Sequence, residues 1–570
     1  MLQPFTLLVV SHLSALVLAQ DQTFAFTDSD VAVSQSSILT HRRGNLQLAI
    51  PPGASCFNTL EGTIPTFDAE KCADARANWR DEQWHTDHPI SNLWPLWTND
   101  TCVPLGNSPS DSCTRGYYGN YVVLAKSRAH VKATIDFART RNLRLVIRNT
   151  GHDFMGRSTG FGSLILNTHS MKEVVFHKKW TGPGNWKGGA ATVGAGVQGR
   201  EVLTLAHQQS PPLVIVGGEC PTVGFAGGFI QGGGHGPFSS IYGMGADQVL
   251  SFDVVTSSGA YLTVNSKENP SLFWALRGGG PSTFAAILSV TVKTFPDVPS
   301  SSVILRINST HTTDTEVFWK GFNAFHELSN RYVENGLYAY YELNHLYLNV
   351  RPIVGLNMTS DQLNQVVKPL FDKLDAQSIP YDREDNHYPT FFDLYTNLFE
   401  DNGAFIQTLV GGRMYSKTDF ARNATAINAA QRFATEQGAL IVGHIVGPGS
   451  GAPIVDNAIH PTWRNTSSFS ITFVNLQGNA TLAEKATAQN VITNVVGKAL
   501  RQASPNGAAY VNEGDLEEPN WQTAYWGPNY PRLLSLKKTY DPLGVFYART
   551  TPGTEDWEVI DVGTRLCRKL

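Results

Sequence analysis

Residues 217–236 hold nine glycines in twenty positions: Gly217, Gly218, Gly224, Gly227, Gly228, Gly232, Gly233, Gly234 and Gly236. Glycine loses more conformational entropy on folding than any other residue, so a stretch this dense needs a close approach of backbone to some partner to offset the loss. A ligand laid along the chain is such a partner. A second loop, Arg148-Asn149-Thr150-Gly151-His152-Asp153-Phe154-Met155-Gly156-Arg157-Ser158, directly follows the β-rich run 143–148. Successive backbone N–H groups in Gly and Ser turns form concave nests that bind anions such as a pyrophosphate. Taken singly, His152 reads as a satisfied loop histidine and Cys220 as a buried thiol. Together in Gly-rich loops of one region, they become candidate binding residues.

A third pattern, Gly194-Ala195-Gly196-Val197-Gln198-Gly199, follows a β-run and precedes a helical segment, with Glu219 twenty residues past Gly199. By spacing this fits a dinucleotide fingerprint, glycines against pyrophosphate and the acid on a ribose hydroxyl. A plain strand-turn-helix explains it equally, and the denser glycine runs nearby favour that reading.

Around these loops the chain reads as α+β. A strand at 121–124, a helix over 127–141 with Ser127 as N-cap, and a strand at 143–148 come first. Short β-rich runs then alternate with turns at 191–193, 214–216, 249–255, 261–264 and 287–294. After Pro296 the texture changes. Leu337, Ala339, Tyr341 and Leu343 alternate, as do Leu346, Leu348 and Val350, which predicts a hairpin with one buried face. Helical patterns follow at 360–374, 419–437 and 482–501, predicting an antiparallel sheet covered by helices. The 570 residues allow two to four domains at roughly 100 to 200 residues each. The divisions expected are 1–19, 20–116, 117–299, 300–505 and 506–570.

With 44 Lys plus Arg against 48 Asp plus Glu, the net charge of −4 argues against a nucleic-acid partner. Hydrophobic residues at 42% exclude disorder. An apolar run over 5–19 ending Val17-Leu18-Ala19 predicts a signal peptide cleaved after Ala19. No later stretch reaches the roughly 20 apolar residues of a membrane span. In a secretory compartment, Asn99, Asn308, Asn357, Asn423, Asn465 and Asn479 are acceptors for N-glycans. Disulfides are permitted there, and the short spacings make Cys56 to Cys72 and Cys102 to Cys113 the simplest of three pairings. These bridges would hold a loop-rich segment at 20–116. Cys220 and Cys567 complete an even count of six, which by itself allows a third bridge.

The loops at 148–158 and 217–224 resemble the flavin-binding signatures of the PCMH-type FAD oxidoreductases, the vanillyl-alcohol oxidase superfamily, in its berberine-bridge-enzyme-like branch. The resemblance spans about 117–295, resumes at 510–557 and is loose between. It implies a two-part FAD-binding domain plus a substrate domain. It also implies a bicovalent FAD, with His152 on the 8α-methyl carbon and Cys220 on ring carbon 6. The cofactor-binding residues it implies are Arg148, Asn149, Thr150, Gly151, Asp153, Gly156, Arg157, Ser158, Gly217, Gly218, Thr222, Val223, Gly227, Gly228, Gly232, Gly233, Gly234 and Gly236. The segments 510–515, 529–533 and 537–542 resemble the family's closing stretch. Two departures stand out: the usual Tyr-x-Asn-Tyr ends in Glu513, and Gly544 replaces the usual Asn after Asp-Pro-x.

From this follows an expected oxidase, passing a hydride from an alcohol or secondary-metabolite intermediate to flavin N5. Tyr510 and Glu513 are the candidate bases, with Asn512 between them. Val223, three residues after Cys220, resembles the oxygen-reactive type, implying O2 as acceptor and hydrogen peroxide as product. Tyr338, Tyr340, Tyr341 and Tyr347 would wall the pocket. The alternatives are a carbohydrate oxidase and, from another class, a flavin-fold protein that binds a small molecule without turnover.

Overall fold

The computed structural model describes residues 45–104, 110–312, 314–400, 403–478, 480–560 and 565–569. The expected signal peptide, residues 20–44 and the sequon at Asn479 lie outside them.

Three larger sheets, beside three small ones of two or three strands, build the described residues. The first orders Leu46–Leu48, Tyr121–Leu124, Leu164–Asn167 and Leu145–Arg148. The last three are parallel to one another. The strand-helix-strand read at 121–148 is therefore present, but Leu164–Asn167 inserts between its two strands. Helix Arg128–Arg141 buries Val131, Ile135 and Ala138 against Leu145, Leu164 and Leu166. Ser127 occupies its N-cap position without a side-chain cap bond. Arg148 ends the strand at the sheet's carboxyl edge, where open α/β sheets present their ligands.

The second sheet is antiparallel, ordered Tyr261–Asn265, Val249–Val255, Ala286–Lys293, Ala190–Gly194 and Val174–His177. This placement overturns the dinucleotide reading of 194–199. Ala190–Gly194 pairs antiparallel on both sides, so no parallel βαβ unit exists there. A Cβ at Gly196 would meet the His169 carbonyl oxygen at 2.2 Å, so this glycine serves the turn. Helix Gly199–His207 starts with a capping box between Gln198 and Glu201.

The third sheet has seven antiparallel strands, ordered Asp382–Tyr388, Ser300–Asn308, Tyr347–Leu356, Tyr338–Leu343, Leu440–Ile445, Thr466–Asn475 and Thr408–Ser416. The predicted hairpin at 337–350 is its centre. Side chains alternate in direction along a strand. Ala339, Tyr341 and Leu343 pack beneath helices Thr315–His326, Ser360–Ala376 and Lys417–Glu436, whereas Tyr338, Met414, Phe469 and Ile471 face the glycine-rich loop and share a core with Phe225, Phe229 and Tyr510. The helix read at 482–501 is broken into Leu482–Asn490, a wider π-helical stretch Val491–Val496, and Gly497–Ala503.

Under the helices lies His326, fully buried. Its Nδ1 meets Asn428 Oδ1 at 2.6 Å and its Nε2 meets Ser468 Oγ at 3.1 Å. Burial pushes its pKa down to about 4. The unfolded chain takes up this proton below about pH 6.5 and the folded chain only near 4. Stability contributed by the neutral ring is thus present above 6.5 and lost as pH falls towards 4. His326→Gln should lose less stability than the wild type between pH 7 and 4 in urea titrations. An equal slope would contradict neutral burial.

Both expected disulfides form, Cys56 with Cys72 and Cys102 with Cys113, and Cys220 and Cys567 are thiols. The described residues before 116 hold more regular structure than their loop-like sequence suggests. Asp68 caps helix Ala69–Ala77 through the Lys71 N–H, and Asp81 caps Glu82–Asp87 through the Trp84 N–H. This second helix reaches the glycine-rich loops. The closing segment returns to them as well, where Lys537 donates to the Thr283 carbonyl and pairs with Asp541.

Candidate active site

A cleft lies between the two glycine-bearing loops, the second sheet and the returning C-terminal segment. Two clusters of reactive side chains mark it.

The first joins His152, Cys220, Thr222 and Glu82. His152 Nε2 lies 2.5 Å from Thr222 Oγ1. Thr222 Oγ1 donates to Glu82 Oε2 at 2.9 Å, and Cys220 Sγ lies 3.7 Å from the same oxygen. Because Thr222 spends its proton on a carboxylate, it accepts from His152, which places the imidazole hydrogen on Nε2 and leaves Nδ1 bare. Burial, aided by the Arg148 guanidinium, pushes the His152 pKa down to about 3, so the ring is neutral. Burial and the Glu82 carboxylate push the Cys220 thiol well above its usual range.

The second cluster is built by the C-terminal segment and the third sheet. Tyr510 is buried, and its hydroxyl accepts from the Gly234 N–H at 3.0 Å and from Asn512 Nδ2 at 2.8 Å. With both acceptor positions used, this phenol has only its proton to offer. Burial, then the Glu513 carboxylate, raises its pKa. Glu513 Oε2 accepts from His235 Nε2 at 2.9 Å. Burial alone would lower the His235 pKa, but the Glu513 and Glu219 carboxylates outweigh it and the net shift is upward. The His444 ring centre lies 4.7 Å from that of His235, and burial holds His444 near pKa 3. Tyr338 Oη sits 2.9 Å from both Glu219 Oε2 and His444 Nδ1.

Of the residues expected to bind cofactor, Asn149, Thr150, Gly151, His152, Asp153, Arg157, Ser158, Gly218, Cys220, Val223, Gly227 and Gly228 line the cleft, as do Tyr510, Asn512 and Glu513. Arg148, Gly156, Gly217, Thr222, Gly232, Gly233, Gly234 and Gly236 are absent from its lining and support it from behind. Arg148 donates to the carbonyls of His85, Thr86, Ser91, Asn149 and Thr150, which fastens helix Glu82–Asp87 beneath the first loop. Burial brings its pKa down to about 9. Asp153 holds Arg157 at 2.7 Å, and Arg157 reaches on to the Val511 carbonyl, which ties the loop to the closing segment. A Cβ at Gly232 would meet the Asn512 side chain at 2.2 Å, so that glycine admits the amide which holds Tyr510.

The tyrosine wall needs correction. Tyr338 bonds Glu219 at the cleft and Tyr340 packs on His444, but Tyr341 points to the opposite face and bonds Gln431, while Tyr347 is half-buried beside Asn308 and off the cleft. The sequence reading missed Glu82, His235 and His444 as site residues. It noticed Glu219 only as the ribose acid of a dinucleotide pattern that it set aside for a plain turn.

The cleft suits a ligand with hydrogen-bond donors and acceptors along one edge. Arg157 Nη1, Gln231 Oε1, His235 Nδ1 and Asn512 Oδ1 are all buried there without a protein partner. Such groups call for a partner, and the mixed edge of an isoalloxazine ring answers them, while the Gly-rich loop backbone suits a pyrophosphate.

Comparison with known proteins agrees. Residues 120–265 match the FAD binding domain family, and residues 509–551 match the family described as berberine and berberine-like. The FAD-linked oxidoreductase ZEB1 of Gibberella zeae is 34% identical over 94% of this chain and 93% of its own. The crystal structure of the VAO-type flavoprotein MtVAO615 from Myceliophthora thermophila superposes with a TM-score of 0.88 at 31% identity, covering 95% of this chain and 98% of that one. Glucooligosaccharide oxidase from Acremonium strictum, described with a 6-S-cysteinyl, 8α-N1-histidyl FAD, shares the fold with a TM-score of 0.60 at 18% identity, over 77% of this chain and 92% of that one. An oxidoreductase family on this scale sets aside the reading of a binding protein without turnover. The chain is an FAD-binding oxidoreductase and belongs to the berberine-bridge-enzyme-like branch of the vanillyl-alcohol oxidase superfamily.

Proposed function

We propose that this chain is an oxidase whose FAD is bonded to both His152 and Cys220, and that it oxidises an alcohol or secondary-metabolite intermediate with O2 as acceptor. The observation that carries the proposal is the convergence of His152 and Cys220 on one end of the cleft, with a ring nitrogen of His152, the Cys220 sulfur and a Glu82 oxygen within 4.8 Å of one another. Bound there, FAD supplies a hydride acceptor at N5.

The chain's own residues supply the proton chemistry. Glu513 faces the cleft with one oxygen engaged by His235, which fixes the carboxylate and leaves its other oxygen to take the donor's hydroxyl proton. Tyr510 has its proton left to donate and so orients the donor oxygen. Asn512 carries no titratable group and positions Tyr510. The Glu219–Tyr338–His444 chain packs beside His235 and stiffens this wall. Val223 lines the cleft, in keeping with oxygen access.

Secretion belongs to the same proposal. Two disulfides fit an oxidising compartment. Asn99, Asn357, Asn423 and Asn465 are exposed and Asn308 is partly so, as glycan acceptors must be. Among the described residues no helix is long and apolar enough to cross a membrane.

Purified protein should be yellow, and an aerobic screen of alcohols, polyketide or alkaloid intermediates and sugars should give hydrogen peroxide with members of the first groups. Peroxide from oligosaccharides alone would favour the carbohydrate oxidase. A donor that bleaches the flavin without air, yet gives no peroxide in air, would overturn O2 as acceptor.

A further inference from the structure

Glu82 is a carboxylate only 4% exposed, in the first turn of a helix of six residues, and the donor oxidation proposed above does not use it. Taking a carboxylate out of water is costly, so a buried acid kept beside two nucleophiles points to chemistry at that place. Its oxygens lie 3.7 and 3.9 Å from Cys220 Sγ, and Thr222 Oγ1 links it to His152 Nε2. It stands apart from Glu513 and His235, which belong to the other cluster.

We infer that Glu82 is the base for the protein's own covalent attachment of FAD, taking the proton of Cys220 directly and that of His152 through the Thr222 hydroxyl. This rests on the bicovalent reading above. In the histidine step a bond forms from bare Nδ1 to the 8α carbon and a C–H bond of that methyl breaks. The Nε2 proton passes to Thr222 as the Thr222 proton passes to Glu82. In the cysteine step a bond forms from Sγ to ring carbon 6, whose C–H bond breaks, and the thiol proton passes to Glu82. Each step puts two electrons into the ring. Molecular oxygen removes them with the two protons each step releases, the C–H proton taken up by the reduced ring and the proton held by Glu82, as one hydrogen peroxide per bond formed, which returns Glu82 to its carboxylate form for the next step.

The geometry explains why a base is needed. Cys220 is held as a thiol by burial and by the Glu82 and Glu219 carboxylates, so it is a poor nucleophile until its proton has an acceptor in contact. His152 is neutral and already nucleophilic at Nδ1, but after attack it must lose the Nε2 proton, and Thr222 is the group in contact with it. The charged or titratable groups facing the pair are Glu82, Glu219 and Arg148. Of these, Glu82 touches the sulfur.

The test is Glu82→Gln, which keeps the size of the side chain and an acceptor for Thr222. Apoprotein is mixed with FAD in air, and covalent flavin is followed by fluorescence of the acid-precipitated polypeptide and by intact mass. The wild type should gain both bonds. E82Q should bind FAD but form the sulfur bond at least tenfold more slowly, and raising the pH towards the thiol's own ionisation should restore part of the rate. Glu82→Asp, which keeps a carboxylate, should fall between them; if E82Q does not bind FAD, Glu82→Ala carries the test. Wild-type rates in E82Q, or in E82A where E82Q fails, would overturn the role of Glu82 alone. Wild-type protein that releases all of its flavin into acid would overturn the bicovalent reading beneath it.

Discussion

Replacing His152 and Cys220 together with alanine should yield a protein that still binds FAD through its glycine-rich loops but releases all of it into the supernatant on acid precipitation. Each single replacement should leave the other bond in place. The cleft residues other than these two are unchanged in the double variant, so non-covalent binding persists, held by the groups that await partners at Arg157, Gln231 and Asn512. Turnover should fall in the double variant by roughly ten- to a thousandfold, because loss of both tethers lowers the ring's tendency to accept a hydride and loosens its placement against the donor. Anaerobic reduction should slow accordingly, whereas the reaction of reduced flavin with oxygen should change less. Equal reduction rates in wild type and double variant would show that the tethers do not assist hydride transfer.

The second large effect is expected at Glu513. Glu513→Gln keeps an oxygen for His235 and removes the proton acceptor, so kcat should fall by roughly 10²- to 10⁴-fold while KM changes little. Tyr510→Phe should cost about tenfold, since that phenol accepts from Gly234 and Asn512 and its pKa is raised, which makes it a poor base. His235→Asn leaves Glu513 without its fixed partner and should lower kcat less than Glu513→Gln does. The reverse ranking, with Y510F the more damaging, would move the base to the tyrosine.

The parts of this site differ in how plainly the sequence announces them. His152 and Cys220 stand inside long glycine-bearing motifs whose entropy cost signals a ligand, and the sheet of the third unit is legible from its alternating apolar residues. Tyr341 was misplaced for a reason the same alternation supplies. Three positions from Tyr338 on one strand, it must face away, so only one of the two can meet the cleft. Glu82 was hidden because its helix is short, its neighbours read as loop, and the contact with Cys220 spans 138 positions of sequence. Asp81, an N-cap just before it, was the available signal for the helix but said nothing about what its first residue would touch. Glu219 was visible as an acid in a glycine loop, yet its partners Tyr338 and His444 come from separate strands that no local pattern connects to it.

The most direct measurement is a peptide map of the purified holoprotein by mass spectrometry after proteolysis without reduction. A single flavin joining the peptide that contains His152 to the peptide that contains Cys220 is the predicted result, with Cys567 recovered as a thiol. Both peptides recovered free of flavin, or Cys220 recovered in a disulfide with Cys567, would contradict the account.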